Sequence, residues 1–191
     1  MEINKITDVE GTVATEDIVE GRMVLLTTHG TSYDFGSRTD LPGIKLPDTA
    51  AESAKAFYVA GFASDNRQLP LYVPTPSMSY ALRRGWDQAA NVPFSATVFL
   101  THPSNLIGQT IPSGSLALAY GGGTFTVPSG SFVYNANLAT PGTYLAACNT
   151  ADDGALYAGM LKYTASGTGA VAKVHRFDST NFALTFRTLV P

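Results

Sequence analysis

The residues best suited to chemistry in this sequence are widely scattered. Its three histidines, His29, His102 and His175, and its one cysteine, Cys148, show neither the close spacing nor the ligand number that a zinc site needs. Cys148 ends an apolar run, and we expect a small buried side chain rather than a reactive thiol. A single cysteine forms no internal disulfide, which favours folding in a reducing cytoplasm.

Four short motifs have a catalytic or ligand-binding interpretation, and each fits a turn better. Ser113 and Ser129 lie in Pro-Ser-Gly-Ser segments without the Gly-x-Ser-x-Gly spacing of one large hydrolase class. The glycines at 121–123 lack the lysine that a phosphate loop requires. Asp152 and Asp153 precede a glycine, which predicts a β-turn rather than an acid/base pair or a calcium site. We therefore predict no catalytic residue, no metal ligand and no cofactor; a hydrolase with an unrecognised site is the alternative.

The densest basic segment is Arg83 and Arg84, which stand just before Trp86. Two bases do not make a basic face, and the net charge of −3 argues against a general grip on nucleic-acid phosphate. Arginine and tryptophan are residue types that anchor protein interfaces. The pattern of this segment favours an ordinary solvated turn, and a protein interface is the alternative for which these three residues are the candidates.

Charge is placed unevenly along the chain. Residues 1–20 carry six acidic residues and one lysine. The 64 residues 88–151 contain no Asp, Glu, Lys or Arg, where average usage would place about 16. Because charge is depleted at the centres of interfaces, this stretch predicts a core plus a surface that another subunit covers. The alternative is a neutral β surface coated with Ser and Thr.

The elements that must position these residues are mainly strands. Strands are expected at residues 22–27, 57–63, 94–101, 144–148, 155–164, 170–177 and 182–190. In the last of these, Phe182, Leu184 and Phe186 share one face. Turn-forming segments rich in Asp, Asn, Ser and Gly separate the C-terminal strands, which favours an antiparallel meander. Thr49 and Glu52 have the spacing of a capping box and predict at most one short helix near 50–56.

One short segment occurs twice. Ile111-Pro-Ser-Gly-Ser-Leu is followed 16 residues later by Val127-Pro-Ser-Gly-Ser-Phe. A single pair does not make a repeat protein, but it predicts β segments joined by similar turns.

The expected fold is all-β, an antiparallel small barrel or sandwich built as one body or as two β lobes. The expected parts are an extended acidic arm at 1–20, an N-terminal β lobe with long loops at 21–105, and a C-terminal antiparallel β lobe at 106–191. Ile3, Ile6 and Val9 are the arm residues expected to contact a partner. The opening residues lack the pattern of a secretory signal, and no run of 18 apolar residues predicts a membrane span.

Three stretches resemble the capsid decoration (cement) proteins of tailed bacteriophages. Glu-Asp-Ile-Val-Glu-Gly-Arg-Met-Val at 16–24 is similar to the first strand of such proteins. Val-Pro-Phe-Ser-Ala-Thr-Val-Phe-Leu-Thr at 92–101 is similar to an inner strand, and Pro-Gly-Thr-Tyr-Leu-Ala-Ala at 141–147 leads into the closing meander. The resemblance spans most of the chain and is diffuse, so no residue role carries over from it.

The resemblance implies a structural protein without catalysis that is made in the host cytoplasm and sits on the capsid exterior. Its expected partners are the major capsid protein and other copies of itself, as a dimer or trimer, with no nucleic acid and no membrane. The residues expected at this capsid or subunit interface are Ile3, Ile6, Val9, Arg83, Arg84 and Trp86. The alternative is a phage tail or fibre component that binds a host glycan. Its stacking aromatics would be Tyr33, Tyr72, Trp86 and Tyr120.

Overall fold

The computed structural model describes residues 2–5, 8–28, 41–62 and 110–189 of the chain. The chain divides into two units, Met1–Gly61 together with Gly108–Pro191, and Phe62–Ile107. Apart from Phe62, the described residues belong to the first unit. The strand predicted at 94–101 and the lobe boundary predicted near residue 105 lie outside the described residues.

The regular structure of the described stretches is mainly β, so the predicted all-β class is confirmed. In chain order the strands are β1 (Glu2–Lys5), β2 (Asp8–Ala14), β3 (Ile18–Val19), β4 (Met23–Thr27), β5 (Gly43–Lys45), β6 (Tyr58–Phe62), β7 (Thr110–Ile111), β8 (Leu116–Gly121), β9 (Thr124–Pro128), β10 (Tyr144–Ala147), β11 (Leu161–Tyr163), β12 (Ala172–Asp178) and β13 (Ala183–Thr188). The helices are α1 (Ala50–Ser53), α2 (Thr150–Asp153) and a 3₁₀ helix at Ala136–Ala139.

A closed barrel is formed by five strands in the order β2-β5-β4-β6-β8. β2 runs parallel to β5 and antiparallel to β8. β4 runs antiparallel to both β5 and β6. Both faces of its strands carry side chains with no exposed area: Val24 and Ile44 share one face, and Met23 and Val59 share the other. Closure removes the free strand edges that promote aggregation.

The second sheet has six strands in the order β1-β9-β13-β12-β10-β11, all antiparallel. Phe125, Leu145, Leu184 and Phe186 line its buried face. In β13, Leu184 and Phe186 are fully buried while Arg187 is exposed, as the alternating pattern predicts. The C-terminal strands are antiparallel as predicted, but the predicted meander is wrong, because β12 pairs with β10 and β13 rather than with its chain neighbour β11. β3 pairs with β7 in a separate two-stranded sheet.

The acidic N-terminal segment is extended, and its strands pair with strands of the same chain. β2 runs antiparallel to β8 as a barrel strand, and β1 runs antiparallel to β9 at one edge of the six-stranded sheet. With β3, which pairs with β7, residues 1–20 thus contribute a strand to each of the three sheets.

The capping box predicted at α1 forms in part, because the Glu52 carboxylate reaches the N–H of Asp48 rather than that of the N-cap residue Thr49. The Thr49 hydroxyl accepts a hydrogen bond from the Glu52 N–H at 3.4 Å. The Glu52 carboxylate accepts from the Asp48 N–H at 2.8 Å and pairs with the Lys45 ammonium at 2.8 Å. These contacts satisfy backbone donors at the start of a helix that is only one turn long.

A second one-turn helix, α2, replaces the turn predicted at 152–154. The Asn149 side chain accepts from the Asp152 N–H at 2.8 Å and so caps the helix. Gly154 ends the helix with a φ of 89°. The strand predicted at 155–164 is correspondingly shortened to Leu161–Tyr163.

The two Pro-Ser-Gly-Ser segments adopt the same turn. The Ser115 N–H donates to the Pro112 carbonyl at 3.1 Å, and the Ser131 N–H donates to the Pro128 carbonyl at 3.2 Å. Their glycines, at positions 114 and 130, have φ values of 82° and 91°. A positive φ at the third position is what a type II turn requires, so the sequence echo reflects a shared turn geometry.

Candidate interaction surface

Four aromatic rings form a cluster that we call the aromatic ridge: Phe132, Tyr134, Phe177 and Phe182. Phe182 stands at its centre, with ring centroids 5.3 Å from Tyr134, 5.5 Å from Phe177 and 5.9 Å from Phe132. Phe132 is buried, whereas Tyr134 is 56% exposed and Phe182 is 40% exposed. The ridge therefore has its base in the core and its top in solvent.

Three segments bring these rings together. Phe132 follows the second Pro-Ser-Gly-Ser turn and forms a parallel bridge with Leu161. The next N–H, of Val133, donates to the Leu161 carbonyl at 2.8 Å and so fixes the course of the chain toward Tyr134. Phe177 comes from β12, and Phe182 lies in the turn before β13.

The turn that carries Phe182 has a strained backbone and is held by hydrogen bonds. Phe182 has a φ of 52° and is the one non-glycine residue with a positive φ in the described stretches. That conformation costs a side-chain-bearing residue about 1–2 kcal/mol. Asp178 opposes the strain by accepting hydrogen bonds from the Thr180 N–H at 2.9 Å, the Asn181 N–H at 3.1 Å and the Asn181 side-chain amide at 2.9 Å. The Asn181 amide, more than any other group, holds the pKa of the Asp178 carboxyl below its usual value.

A second apolar protrusion, the Leu156 turn, comprises residues 155–159. Leu156 is 77% exposed and Tyr157 is 44% exposed. The buried Arg22 guanidinium donates from Nη1 to the carbonyls of Leu156 and Ala158, and burial lowers the pKa of Arg22. A buried cation thus fixes a turn that presents two apolar side chains to solvent.

Close packing holds the same turn from the other side. The Met23 N–H donates to the Gly159 carbonyl at 2.7 Å. Gly159 has a φ of 76°, and a Cβ there would lie 2.7 Å from the Met23 carbonyl oxygen and 2.8 Å from Leu46 Cδ2. Only glycine combines this backbone conformation with this approach.

Cys148 is buried as predicted and lies beside the ion pair of Asp153 with Lys162. The Lys162 ammonium is 2.6 Å from a carboxylate oxygen of Asp153. Burial, followed by the negative charge of Asp153, raises the pKa of the Cys148 thiol to about 12. The predicted structural role of this cysteine is in agreement with its burial.

The Cys148 thiol is expected to resist alkylation in the native protein. With a pKa of about 12, only a minute fraction is thiolate at pH 8, so reaction with iodoacetamide should be at least about a hundredfold slower than in denaturant. Mass spectrometry of the intact protein after timed alkylation, with and without guanidinium, measures the ratio. Equal rates in the two conditions would refute this placement of the thiol.

The Asp153–Lys162 pair is expected to make stability depend on pH in the acid range. Burial alone would raise the pKa of Asp153, but the hydrogen bonds from Lys162 and from the Asn149 N–H outweigh it and leave the pKa lowered. A lowered native pKa gives stability that is fully present above the unfolded value of about 3.9 and is lost as pH falls through the native value. The melting temperature of Asp153→Asn should therefore fall less between neutral and acid pH than the melting temperature of wild type.

The matched control for this test is Lys55→Gln, which removes an exposed charge outside the pair and should keep the wild-type pH profile, because lysine side chains do not titrate in the acid range. Thermal melts of the three proteins across the acid range give the comparison. A profile of Asp153→Asn that coincides with wild type would exclude the pair as a source of acid sensitivity.

The residues predicted to form an interface fall mostly outside the described stretches. Ile6, Arg83, Arg84 and Trp86 lie there. Ile3 belongs to β1, in register with Phe125 of β9. Among the described residues, Val9 is the member of the set seen at the surface, where it is 47% exposed on β2.

Two sequence expectations for aromatic residues are wrong. Tyr120, expected in an exposed loop, lies on β8 and is only 7% exposed, because it packs in the core with its ring centroid 6.3 Å from that of Phe125. Phe182, expected to share the face of Leu184 and Phe186, instead joins the ridge, because its positive φ turns it away from the strand geometry.

Metal-binding clusters and membrane-spanning helices are absent from the described stretches. No group of three His, Cys, Asp or Glu side chains within them is placed to hold a metal ion. None of the helices in these ranges is long and apolar enough to cross a membrane. Comparisons with protein-family models, curated proteins and solved structures found no match to this chain.

Proposed function

We propose that this chain is a structural protein of a tailed-bacteriophage capsid, which binds the outer surface of the icosahedral shell and bridges its capsomers. In this proposal the protein has no catalytic role, its main partner is the major capsid protein, and it is found on the virion exterior. The single observation that supports a binding role most strongly is the aromatic ridge.

The ridge has the composition of an interface centre. Exposed aromatic patches on soluble proteins mark binding sites, and buried tyrosine and phenylalanine dominate the energetics of many interfaces. Phe132 and Tyr134 lie within the stretch 88–151 that contains no Asp, Glu, Lys or Arg. A partner that covers Phe132 and Tyr134 therefore removes no charged group of these two side chains from water.

The rigidity of the ridge also supports binding. Tyr134 and Phe182 are held by ring contacts on both sides and by a hydrogen-bonded turn. Side chains that are already ordered lose little conformational entropy when a partner covers them. A shell carries many identical sites, so even modest affinity at each would stabilise the particle.

Shell binding by ridge variants tests the proposal. Tyr134→Ser combined with Phe182→Gly removes the two exposed rings, and glycine at 182 also relieves the positive φ, so the backbone should not be destabilised there. Shells that lack the protein are titrated with wild type and with the variant, and bound protein is measured after sedimentation. The variant should bind at least about tenfold more weakly.

Leu156→Ser is the matched control, because it removes an apolar side chain that is more exposed than either ring from another turn. It should bind shells as wild type does, and circular dichroism should show that all three proteins are folded. Undiminished binding by the double variant would exclude the ridge as the shell contact.

A host-glycan binding module of a phage tail or fibre is the second candidate. The observation that favours it is the pair of exposed rings, Tyr134 and Phe182, whose centroids are 5.3 Å apart and whose faces a sugar could stack on. A glycan array probed with wild type and with the double ridge variant distinguishes the candidates. Glycan binding that disappears in the variant would favour this alternative over the shell.

A further inference from the structure

Two basic side chains face each other across neighbouring strands of the six-stranded sheet. Lys173 of β12 is in register with Arg187 of β13, so the two lie directly opposite on one face. Like charges in this arrangement destabilise a sheet. Among the described residues neither has a carboxylate partner. The arrangement is unfavourable unless an acidic group faces it, and none of the described residues supplies one.

The position of Lys173 is fixed by an aromatic ring. Its ammonium lies 4.6 Å from the ring centroid of Tyr144, which is the next residue in the same register row. The Tyr144 ring packs against Gly167, where a Cβ would lie only 3.0 Å from Cζ. We call Lys173, Arg187 and Tyr144 the basic patch.

A patch of opposite sign lies on the barrel. Asp8 and Glu10 alternate along β2, so they share a face, and both are exposed. Tyr58 of β6 lies beside them: a Cβ at Gly121 would be 3.1 Å from Tyr58 Cε1 and 3.2 Å from an Asp8 carboxylate oxygen. Neither carboxylate forms an ion pair within the described stretches. We call Asp8, Glu10 and Tyr58 the acidic patch.

We propose that copies of this chain bind one another through these patches, the basic patch of one copy against the acidic patch of the next. Each patch holds two like charges and one tyrosine, so their contact neutralises both and relieves the repulsion within each. A second copy is the occupant because every copy carries both halves of the contact. The inference concerns the free protein and does not depend on a shell.

The contact is weak and sensitive to salt. Exposed ion pairs contribute little individually, and mobile ions screen them beyond about 10 Å at 0.1 M salt. Association should therefore be seen at high protein concentration and low salt. The contact would form most readily where copies are held close together, because a high local concentration compensates for a weak affinity.

Sedimentation velocity of the full chain gives the first measurement. At about 100 μM protein the average mass should exceed that of the monomer in about 20 mM salt and return to it in about 500 mM salt. A monomer under both conditions, or an oligomer indifferent to salt, would overturn the proposal.

Charge reversal then identifies the surfaces. Lys173→Glu with Arg187→Glu makes one variant with two acidic patches, and Asp8→Lys with Glu10→Lys makes another with two basic patches. Each alone should be monomeric at low salt, with association at least about tenfold weaker than wild type. An equimolar mixture should associate again, because opposite patches are then available on different chains.

The matched control is Lys55→Glu, which reverses an exposed charge outside both patches and should associate as wild type does. Circular dichroism checks that each variant is folded. Failure of the mixture to associate, when each variant is folded and wild type associates, would place the self-contact elsewhere and overturn the assignment. Loss of self-association with unchanged shell binding would separate this inference from the proposed function.

Discussion

Replacing Gly159 by alanine is expected to lower the free energy of unfolding by about 2–4 kcal/mol. Two costs add at this position. The φ of 76° is unfavourable for any residue with a Cβ, and that Cβ would lie 2.7 Å from the Met23 carbonyl oxygen, a backbone atom that cannot move without disturbing β4. Urea unfolding followed by circular dichroism measures the change.

Two glycines elsewhere in the chain separate these costs. Gly130 has a φ of 91° but open space where a Cβ would stand, so Gly130→Ala should cost only the conformational part, about 1 kcal/mol. Gly11 has open space and no positive φ, so Gly11→Ala should be neutral or slightly stabilising. If Gly159→Ala cost no more than Gly130→Ala, the close packing of the Leu156 turn on β4 would be refuted.

Replacing Arg22 by methionine is expected to cost about 2 kcal/mol. Methionine has a similar volume and carries no charge, so the cost of burying a cation is removed. That effect alone would make the variant more stable than wild type. Against this, the Ala158 carbonyl loses its buried donor, and the hydrogen bonds that anchor the backbone at Met23 and Gly159 prevent the turn from opening to water. We expect the unsatisfied carbonyl to outweigh the relieved desolvation.

Hydrogen exchange gives the local readout for this variant. The Met160 N–H, which donates to the Tyr157 carbonyl at 2.8 Å, should exchange faster in Arg22→Met. The control is Lys55→Met, which removes an exposed cation away from the turn and should change stability by no more than about 0.5 kcal/mol. Unchanged stability of Arg22→Met together with unchanged exchange at Met160 would show that the guanidinium does not hold the turn.

Local features of the fold were predictable because their causes are local. The capping pair Thr49 and Glu52 lies three residues apart, and the Pro-Ser-Gly-Ser turns need only a glycine at the third position. The burial of Cys148 follows from the apolar run before it. Alternation in β13 predicted the burial of Leu184 and Phe186.

The features that form the candidate surface depend on distant contacts. Arg22 reaches carbonyls 134 and 136 positions away, so no local pattern marks residues 155–159 as an anchored turn. The ridge requires Phe132 and Phe182 to meet across separate segments, with a positive φ that alternation alone assigns to a strand. Closure of the barrel likewise pairs β2 with β8, a hundred residues later.

The central proposal is that this chain is a shell-wide structural component of a phage particle. Its most direct test is the copy number of the chain in purified tailed-phage particles, relative to the major shell protein, by quantitative mass spectrometry. The account predicts a ratio within a few-fold of equality. A handful of copies per particle would instead indicate a tail or vertex component, and complete absence from particles would contradict the account.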